Sequence, residues 1–369
     1  MNTRREVIVV GAGPAGIVAA IAAQKRGRQV IVLDARKPPI DKPCGEGILP
    51  QGVAALRQLG ISLPAEDAFP FRGIRFADEK YSVCADFADE TGLSVRRVKL
   101  HQLLADYAMK AGVEFRWGTR VTQIDAHQVT TPLENFSYDW LIGADGHNSH
   151  IRKCAGLEPR ALNKKRFGFC SHYQLEPWSE MAEVHWAHRC QIFITPMRGH
   201  EVGVAVISRD PQLRFEKAIQ QFPFLANKLR GAKPTTRELG DTTGLRILPA
   251  VTKGRVALIG DASGTVDAVT GHGLSLSFQQ AISLAESMEQ RDLAHYEASH
   301  KKIASLAITM SRLMMLMSQS DWIRRRTLRL FQITPSLFAR MLAIHSGTVP
   351  LSTVGVAEIA DFSWKFLRV

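Results

Sequence analysis

The sequence predicts an α/β protein in which a nucleotide-binding domain with a parallel sheet is interrupted by an antiparallel sheet and followed by a helical region. Three observations carry this. The chain opens with "REVIVVGAGPAGIVAAIAAQKRGRQVIVLDARK", which has the pattern strand, glycine turn, helix, strand. Between 166 and 208 it changes to short apolar runs, "FGFCSHYQL", "AEVHWAH", "CQIFITP" and "GHEVGVAVIS", separated by Pro, Gly and Arg turns as in hairpins. A strand running into a glycine turn then returns in "GRVALIGDASG", and from about residue 291 the spacing is helical. A chain of 369 residues is long enough for about two or three packed units.

The elements follow in order. Val7–Val10 is β-branched and uniformly apolar, as in a strand buried on both faces. Gly11, Gly13 and Gly16 then have the dinucleotide spacing. Gly11 permits the turn, Gly13 lets the backbone approach a diphosphate with Pro14 and Ala15, and Gly16 lets the helix pack against the strand. Unpaired N–H groups and the positive dipole end of that helix favour the phosphates. Asp34 ends the second strand, with Ala35 and Arg36 after it, where an acidic side chain accepts from ribose hydroxyls. Short alternating stretches occupy about 71 to 87, "VKLHQLLADYAMKAG" is helical, and short strands lead to the apolar "DWLIGADG". The expected division is a discontinuous nucleotide domain at 1–70, 98–165 and 245–290. The sheet domain would be 71–97 and 166–244, and the helical region 291–369.

Composition narrows the function. With 45% hydrophobic and 22% charged residues the chain is an ordinary globular protein rather than a disordered one. Cys44, Cys84, Cys154, Cys170 and Cys190 include no C-x-x-C pair, so neither a metal site nor a disulfide framework is expected, and reduced thiols point to the cytoplasm. His185 and His188 have no carboxylate evident beside them and are not read as metal ligands. The apolar N-terminal run has no cleavage site of a signal peptide. "IASLAITMSRLMMLMSQSDWI" is not read as membrane-spanning because Arg312 lies in its middle; its methionines suit a core or a pliable contact surface. The net charge of +12 is mostly scattered, and no nucleic-acid signature accompanies it. The one basic cluster, Arg324, Arg325, Arg326 and Arg329, would suit an acidic carrier protein with a tethered substrate, or peripheral contact with an anionic membrane.

Three further stretches separate FAD from NAD. Arg97 precedes Leu100 at a helix start in "RRVKLHQLL". "LIGADGHNSHIRK" contains Asp145-Gly146, Ser149 and Arg152. "ALIGDASGTVDAVTGHGLSLSF" contains Gly260-Asp261 and then Gly271-His272-Gly273. With the opening motif, and in this order, they resemble the FAD-dependent monooxygenase and geranylgeranyl-reductase-like flavoprotein superfamily over roughly Val7 to Ser287. The resemblance implies a Rossmann-type FAD-binding domain with an inserted antiparallel substrate sheet. It places Arg97 at the phosphate–ribose region, Val121, taken to lie on a strand, against adenine, Asp145 near the diphosphate groove, and Asp261 on the ribityl hydroxyls. It turns the N–H groups of Gly271, Gly273 and Leu274 toward the flavin N1–C2=O edge, where a helix N-terminus stabilises the negative charge of reduced flavin.

"KPCGEGI" resembles the Cys-Gly-Gly-Gly segment of the reductase branch, which implies that Cys44 and Gly45 lie over the flavin between cofactor and substrate. Cys44 is then a candidate proton donor or a small packing residue. His272 is a candidate acid or turn residue, with a ring that the helix dipole favours as neutral. The chain departs from the branch at Glu46, at Gln191 and Thr195, at Ala268 and at His272, and it has Ser263-Gly264 where hydroxylases carry a histidine. The expected activity is hydride transfer from reduced FAD to a C=C bond of a lipophilic or conjugated molecule. A hydroxylase working through a flavin C4a-hydroperoxide is the alternative, and an FAD-containing docking protein is an alternative of another class. No second glycine fingerprint occurs, so NAD(P)H would be a transient electron donor.

Overall fold

The structure is a computed structural model describing residues 2–88, 90–159 and 165–368. Its first sheet runs in the order Thr252–Lys253, Val256–Leu258, Asn135–Gly143, Asn2–Val10, Val30–Asp34 and Glu114–Trp117. From Val256–Leu258 to Glu114–Trp117 these strands are parallel. The first strand lies between Val30–Asp34 and Asn135–Gly143, and Val7, Ile8 and Val9 have no exposure, which is why their sequence is apolar without alternation. Helix Pro14–Gln24 is apolar nearly all round because it is enclosed by this sheet and by helix Gly273–Glu289. The strand order reverses beside the first strand, and the crevice at such a point is where open parallel sheets bind nucleotides.

The second sheet runs Lys233–Pro234, Arg166–Gln174, Glu201–Ser208, Cys190–Met197, Met181–Ala187, Gly73–Ala77 and Ser82–Asp86, with Leu239–Thr243 also on Arg166–Gln174. The four expected hairpin strands are antiparallel, as their turns require. Gly73–Ala77, however, pairs in parallel with Met181–Ala187, a contact that joins stretches more than a hundred residues apart and leaves no local sequence signal. Two short helices, Phe215–Gln220 and Pro223–Lys228, cover one face with Phe215, Phe222 and Leu225; the sequence reading had not resolved them. A small third sheet joins Gly47–Ile48, Gly92–Ser94 and Phe69–Phe71.

The C-terminal part consists of Leu293–Gln319, Asp321–Ile333, Pro335–His345 and Val356–Arg368. Met310, Met314 and Met317 are buried on the long first helix, while Arg312 is exposed. Among the described residues no helix is long and apolar enough to cross a membrane. These helices close over the far face of the second sheet, where Phe76, Trp186, Phe331 and Phe338 share one apolar cluster.

Candidate active site

A cavity of about 590 Å³ lies between the two large sheets. One end is built from backbone. Gly11 adopts φ +106°, and a Cβ there would stand 2.4 Å from the Ala144 carbonyl oxygen, so the turn requires glycine. The Ala12 peptide is held from both sides: its N–H donates to Asp34 Oδ2 at 2.7 Å and its carbonyl accepts from His101 Nε2 at 2.9 Å. Asp34 also accepts the Arg36 N–H at 2.8 Å. His101 lies one helical turn after Arg97, hence on the same face. It escaped the sequence reading, although this four-residue spacing was its signal.

The second and third motifs are tied to each other. Ser149 caps helix His150–Cys154 by accepting the Arg152 N–H at 2.9 Å, and Asp145 accepts the N–H groups of His150 at 2.6 Å and Ile151 at 3.1 Å. Arg152, fully buried, donates to the carbonyls of His147 and Ala262 at 2.9 and 3.1 Å, which fastens the Asp-Gly loop to the Gly-Asp loop. A histidine from elsewhere in the chain packs against the Ser263 that follows the Gly-Asp stretch. His300, on the long helix, donates from Nε2 to Ser263 Oγ at 2.9 Å, and burial pushes its pKa down to about 4. Ser263 in turn donates to the Gly260 carbonyl at 2.8 Å.

The other end of the cavity is apolar, with Leu49, Phe71, Ile74, Phe76, Val184 and Met314 in its wall. The strap Lys42–Gly47 also lines the cavity. Its departures from the glycine-rich pattern turn out to be its anchors. Glu46 has φ +59°, the backbone region a glycine would occupy at ease. Its buried carboxylate accepts the Arg97 N–H at 2.7 Å and meets His172 Nε2 at 2.5 Å and Arg96 Nε at 3.7 Å. Arg96 is itself held by Glu201 at 2.7 Å, and His172 Nδ1 meets Thr236 Oγ1 at 3.0 Å. Thr195, which stands where the branch has an aromatic, donates to the Gly45 carbonyl at 2.8 Å. Cys44 Sγ accepts the Glu46 N–H at 3.2 Å, and burial raises its pKa against the opposing pull of Arg97.

The sequence-derived residues divide by position. Gly13, Pro14, Ala15, Cys44, Gly45 and Arg97 line the cavity, together with Gly260, Asp261, Gly271, Gly273 and Leu274. Gly11, Gly16, Asp34 and Asp145 stand behind that lining and shape it, with Ala35 and Arg36 following Asp34 outside it. Val121 is not on a strand: it lies in the connection between Glu114–Trp117 and Gln123–Ile124, buried in the core and away from the cavity wall. His272 likewise turns away. Its Nε2 donates to the His345 carbonyl at 2.9 Å, and burial lowers its pKa to about 4. His185 does have a carboxylate partner: Glu183, two residues earlier on the same strand face, lies 2.7 Å from its Nε2.

These residues fit FAD. An added Cβ at Gly45 or Gly273 meets no protein atom within 4 Å, and at Gly13 only Arg97 Nη2 at 3.9 Å, so the open space along these glycines suits an occupant in van der Waals contact with backbone. Arg97 Nη1 is buried with no acceptor, and Lys42, whose pKa is lowered by burial and by Arg36 and Arg97, stands near it: a diphosphate would supply the missing acceptor and charge.

The comparisons agree. The FAD binding domain family matches residues 4–295. Menaquinone reductase of Mycobacterium tuberculosis is 28% identical over 322 residues, covering 78% of either chain. Kynurenine 3-monooxygenase of Salinispora tropica is 27% identical, covering 82% of this chain and 78% of its own. Digeranylgeranylglycerophospholipid reductase 2 of Methanosphaera stadtmanae is 27% identical, covering 75% and 76%. Among solved structures, a flavoprotein/dehydrogenase from Cytophaga hutchinsonii superposes with a TM-score of 0.81 over 93% of either chain at 17% identity, a likeness of fold alone. Since the family match spans most of the chain, this protein belongs to the FAD binding domain family and is an FAD-dependent oxidoreductase.

Proposed function

We propose that the protein reduces a C=C bond of a lipophilic, conjugated small molecule. The observation that carries this reading is the apolar cluster Leu49, Phe71, Ile74, Phe76 and Val184 in the wall of the cavity that Cys44 also lines. Two relatives named for reducing menaquinone and digeranylgeranylglycerophospholipid support a substrate with long apolar parts. FAD, when bound and reduced, supplies hydride. Lys42, Arg97 and the N–H groups at Gly13 would hold its diphosphate, Asp261 its ribityl hydroxyls, and the Gly271–Leu274 turn its N1–C2=O edge. The apolar walls exclude water from the bond being reduced.

Cys44 is the proton donor of this reading. Burial keeps its thiol protonated, and Arg97 offsets part of the charge left when the proton moves to the second carbon. Solvent would then return a proton to the sulfur. His272 takes a positioning role in place of an acid role, because its Nε2–H is committed to the His345 carbonyl. NAD(P)H would visit from outside as electron donor. Among macromolecular partners a membrane surface is favoured over a carrier protein, since Arg324 of the basic cluster is buried and paired with Asp321 at 2.7 Å. The protein would thus be cytoplasmic and peripheral.

A monooxygenase remains the second reading, favoured by His300 beside the Gly-Asp loop and by the kynurenine 3-monooxygenase relative. The two separate by mass spectrometry of a single turnover with a polyprenyl quinone. Gain of two hydrogens under anaerobic conditions that persists after the quinone ring is reoxidised, and so lies in the polyprenyl chain, supports the reductase. Gain of an oxygen atom only when oxygen is admitted overturns it.

A further inference from the structure

We infer that the C-terminal helix Val356–Arg368, with the Trp322 end of its neighbour Asp321–Ile333, is a docking face for an anionic lipid bilayer. The proposal rests on the lipophilic-substrate reading for its purpose but not for its evidence.

No described residue of this helix is buried. One side touches the protein: Phe362 faces Phe331 at 6.4 Å, Phe366 stands edge-on to Trp322 at 5.5 Å, and Glu358 pairs with Arg340 at 3.2 Å. The outer side is also apolar. Val356, Ile359, Trp364 and Leu367 are 85, 55, 56 and 66% exposed, and with Ala360 their spacing puts them on one stripe of a 3.6-residue helix. Trp322 and Ile333, 55 and 62% exposed, extend the patch onto the neighbouring helix. Single exposed apolar residues need no explanation, whereas a continuous stripe with a second helix beside it marks a contact surface.

The charges name the occupant. Arg368 lies 3.9 Å from the centre of the Trp364 ring and Arg326 4.9 Å from that of Trp322, so each exposed tryptophan carries a guanidinium at its face. Lys365, next to Trp364, is paired with Asp361 at 2.7 Å, so the two guanidiniums supply the positive charge at the tryptophans. An apolar stripe bordered by tryptophan and basic side chains matches the boundary between acyl chains and anionic headgroups. Its 13 described residues span about 20 Å, against about 30 Å of hydrocarbon. It would lie in the plane of the surface. Behind it, Phe362 packs on the apolar cluster of Phe331, Phe338 and Leu342, which is continuous with Phe71, Ile74 and Phe76 of the cavity wall. A bilayer seated here adjoins the apolar structure that encloses a lipophilic substrate.

The test is co-sedimentation of the flavin-loaded protein with phosphatidylglycerol vesicles and with pure phosphatidylcholine vesicles, at low and raised salt. Binding to the anionic vesicles should be at least tenfold tighter and should weaken with salt. Trp364→Ser with Leu367→Ser should weaken it at least tenfold, and Lys365→Glu with Arg368→Glu should abolish the preference for anionic lipid; flavin content and turnover of a short, water-soluble probe should not change in either. No binding to anionic vesicles at low salt overturns the proposal, as does equal binding to both compositions. A lipid-free dimer that disappears in the Trp364→Ser, Leu367→Ser variant would assign the face to a second copy of the chain instead. Vesicle binding without any reductive turnover would leave the docking face standing and sink the proposed reaction.

Discussion

The two ends of the cavity solve different problems. The phosphate end is made largely of backbone, from glycine motifs whose turns are fixed by short spacings and then braced by Asp34, His101 and Arg152. The apolar end and the strap are made of side chains brought together from distant segments: Glu46 meets His172 and Arg96, and Thr195 holds Gly45. The difference shows in the glycines themselves. Gly11 is required by the fold, because a Cβ would strike Ala144, whereas Gly45 on the strap faces open space. One end is built to be rigid without its ligand. The other is held in place by a buried charge network.

Substitutions at Gly11 and Gly45 should separate these most strongly. Gly11→Val puts a Cβ against backbone at a positive φ, which should prevent folding or cost more than about 4 kcal/mol in a denaturant melt. Gly45→Ala should leave the melt within about 1 kcal/mol and lower flavin affinity or turnover instead. Equal melting losses would erase the distinction. Next is the strap: Glu46→Ala leaves His172 Nε2 and the Arg97 N–H without their buried acceptor, Arg96 keeping Glu201, and should cost about 3 kcal/mol, with loss of turnover exceeding loss of flavin.

The pH dependence is the third prediction. The folded pKa of about 4 at His272 and at His300 lies below the roughly 6.5 of an unfolded histidine. The neutral rings therefore stabilise the fold fully above about pH 6.5, and this is lost as pH falls toward 4, on the order of 3 kcal/mol for each. Thermal melts should drop across that window, and His300→Gln should flatten the drop; an unchanged slope would contradict the burial. The smallest effect is expected at Thr195→Val, which removes the hydroxyl donor to Gly45 for about 1 kcal/mol and should be read as faster flavin release.

The parallel core and the glycine end were legible in the sequence because their physics is local. A strand buried on both faces must be uniformly apolar, and a turn that admits no Cβ must be glycine, so Val7–Gly16 and Gly260–Gly273 carry their structure within a few residues. Two residues outside such local patterns lie differently from the expected local structure. Val121 proved to be a core residue between strands, and His272 turned its proton toward His345. His101 and Arg152 went without roles because what they fasten, the Ala12 carbonyl and the Ala262 carbonyl, lies 89 and 110 residues away.

By itself the sequence determined the class of cofactor and the parallel sheet that holds it, since a diphosphate is bound by backbone N–H groups whose geometry depends on short glycine spacings. Only the tertiary structure decided the rest. Glu46 looked like a departure from a glycine-rich segment and is the anchor of the strap. The long helix supplies His300 at a loop that appeared to lack a histidine, and the last helix presents an apolar stripe outward. Each depends on which distant surfaces meet, and burial and charge pairing act through space, without a fixed spacing along the chain.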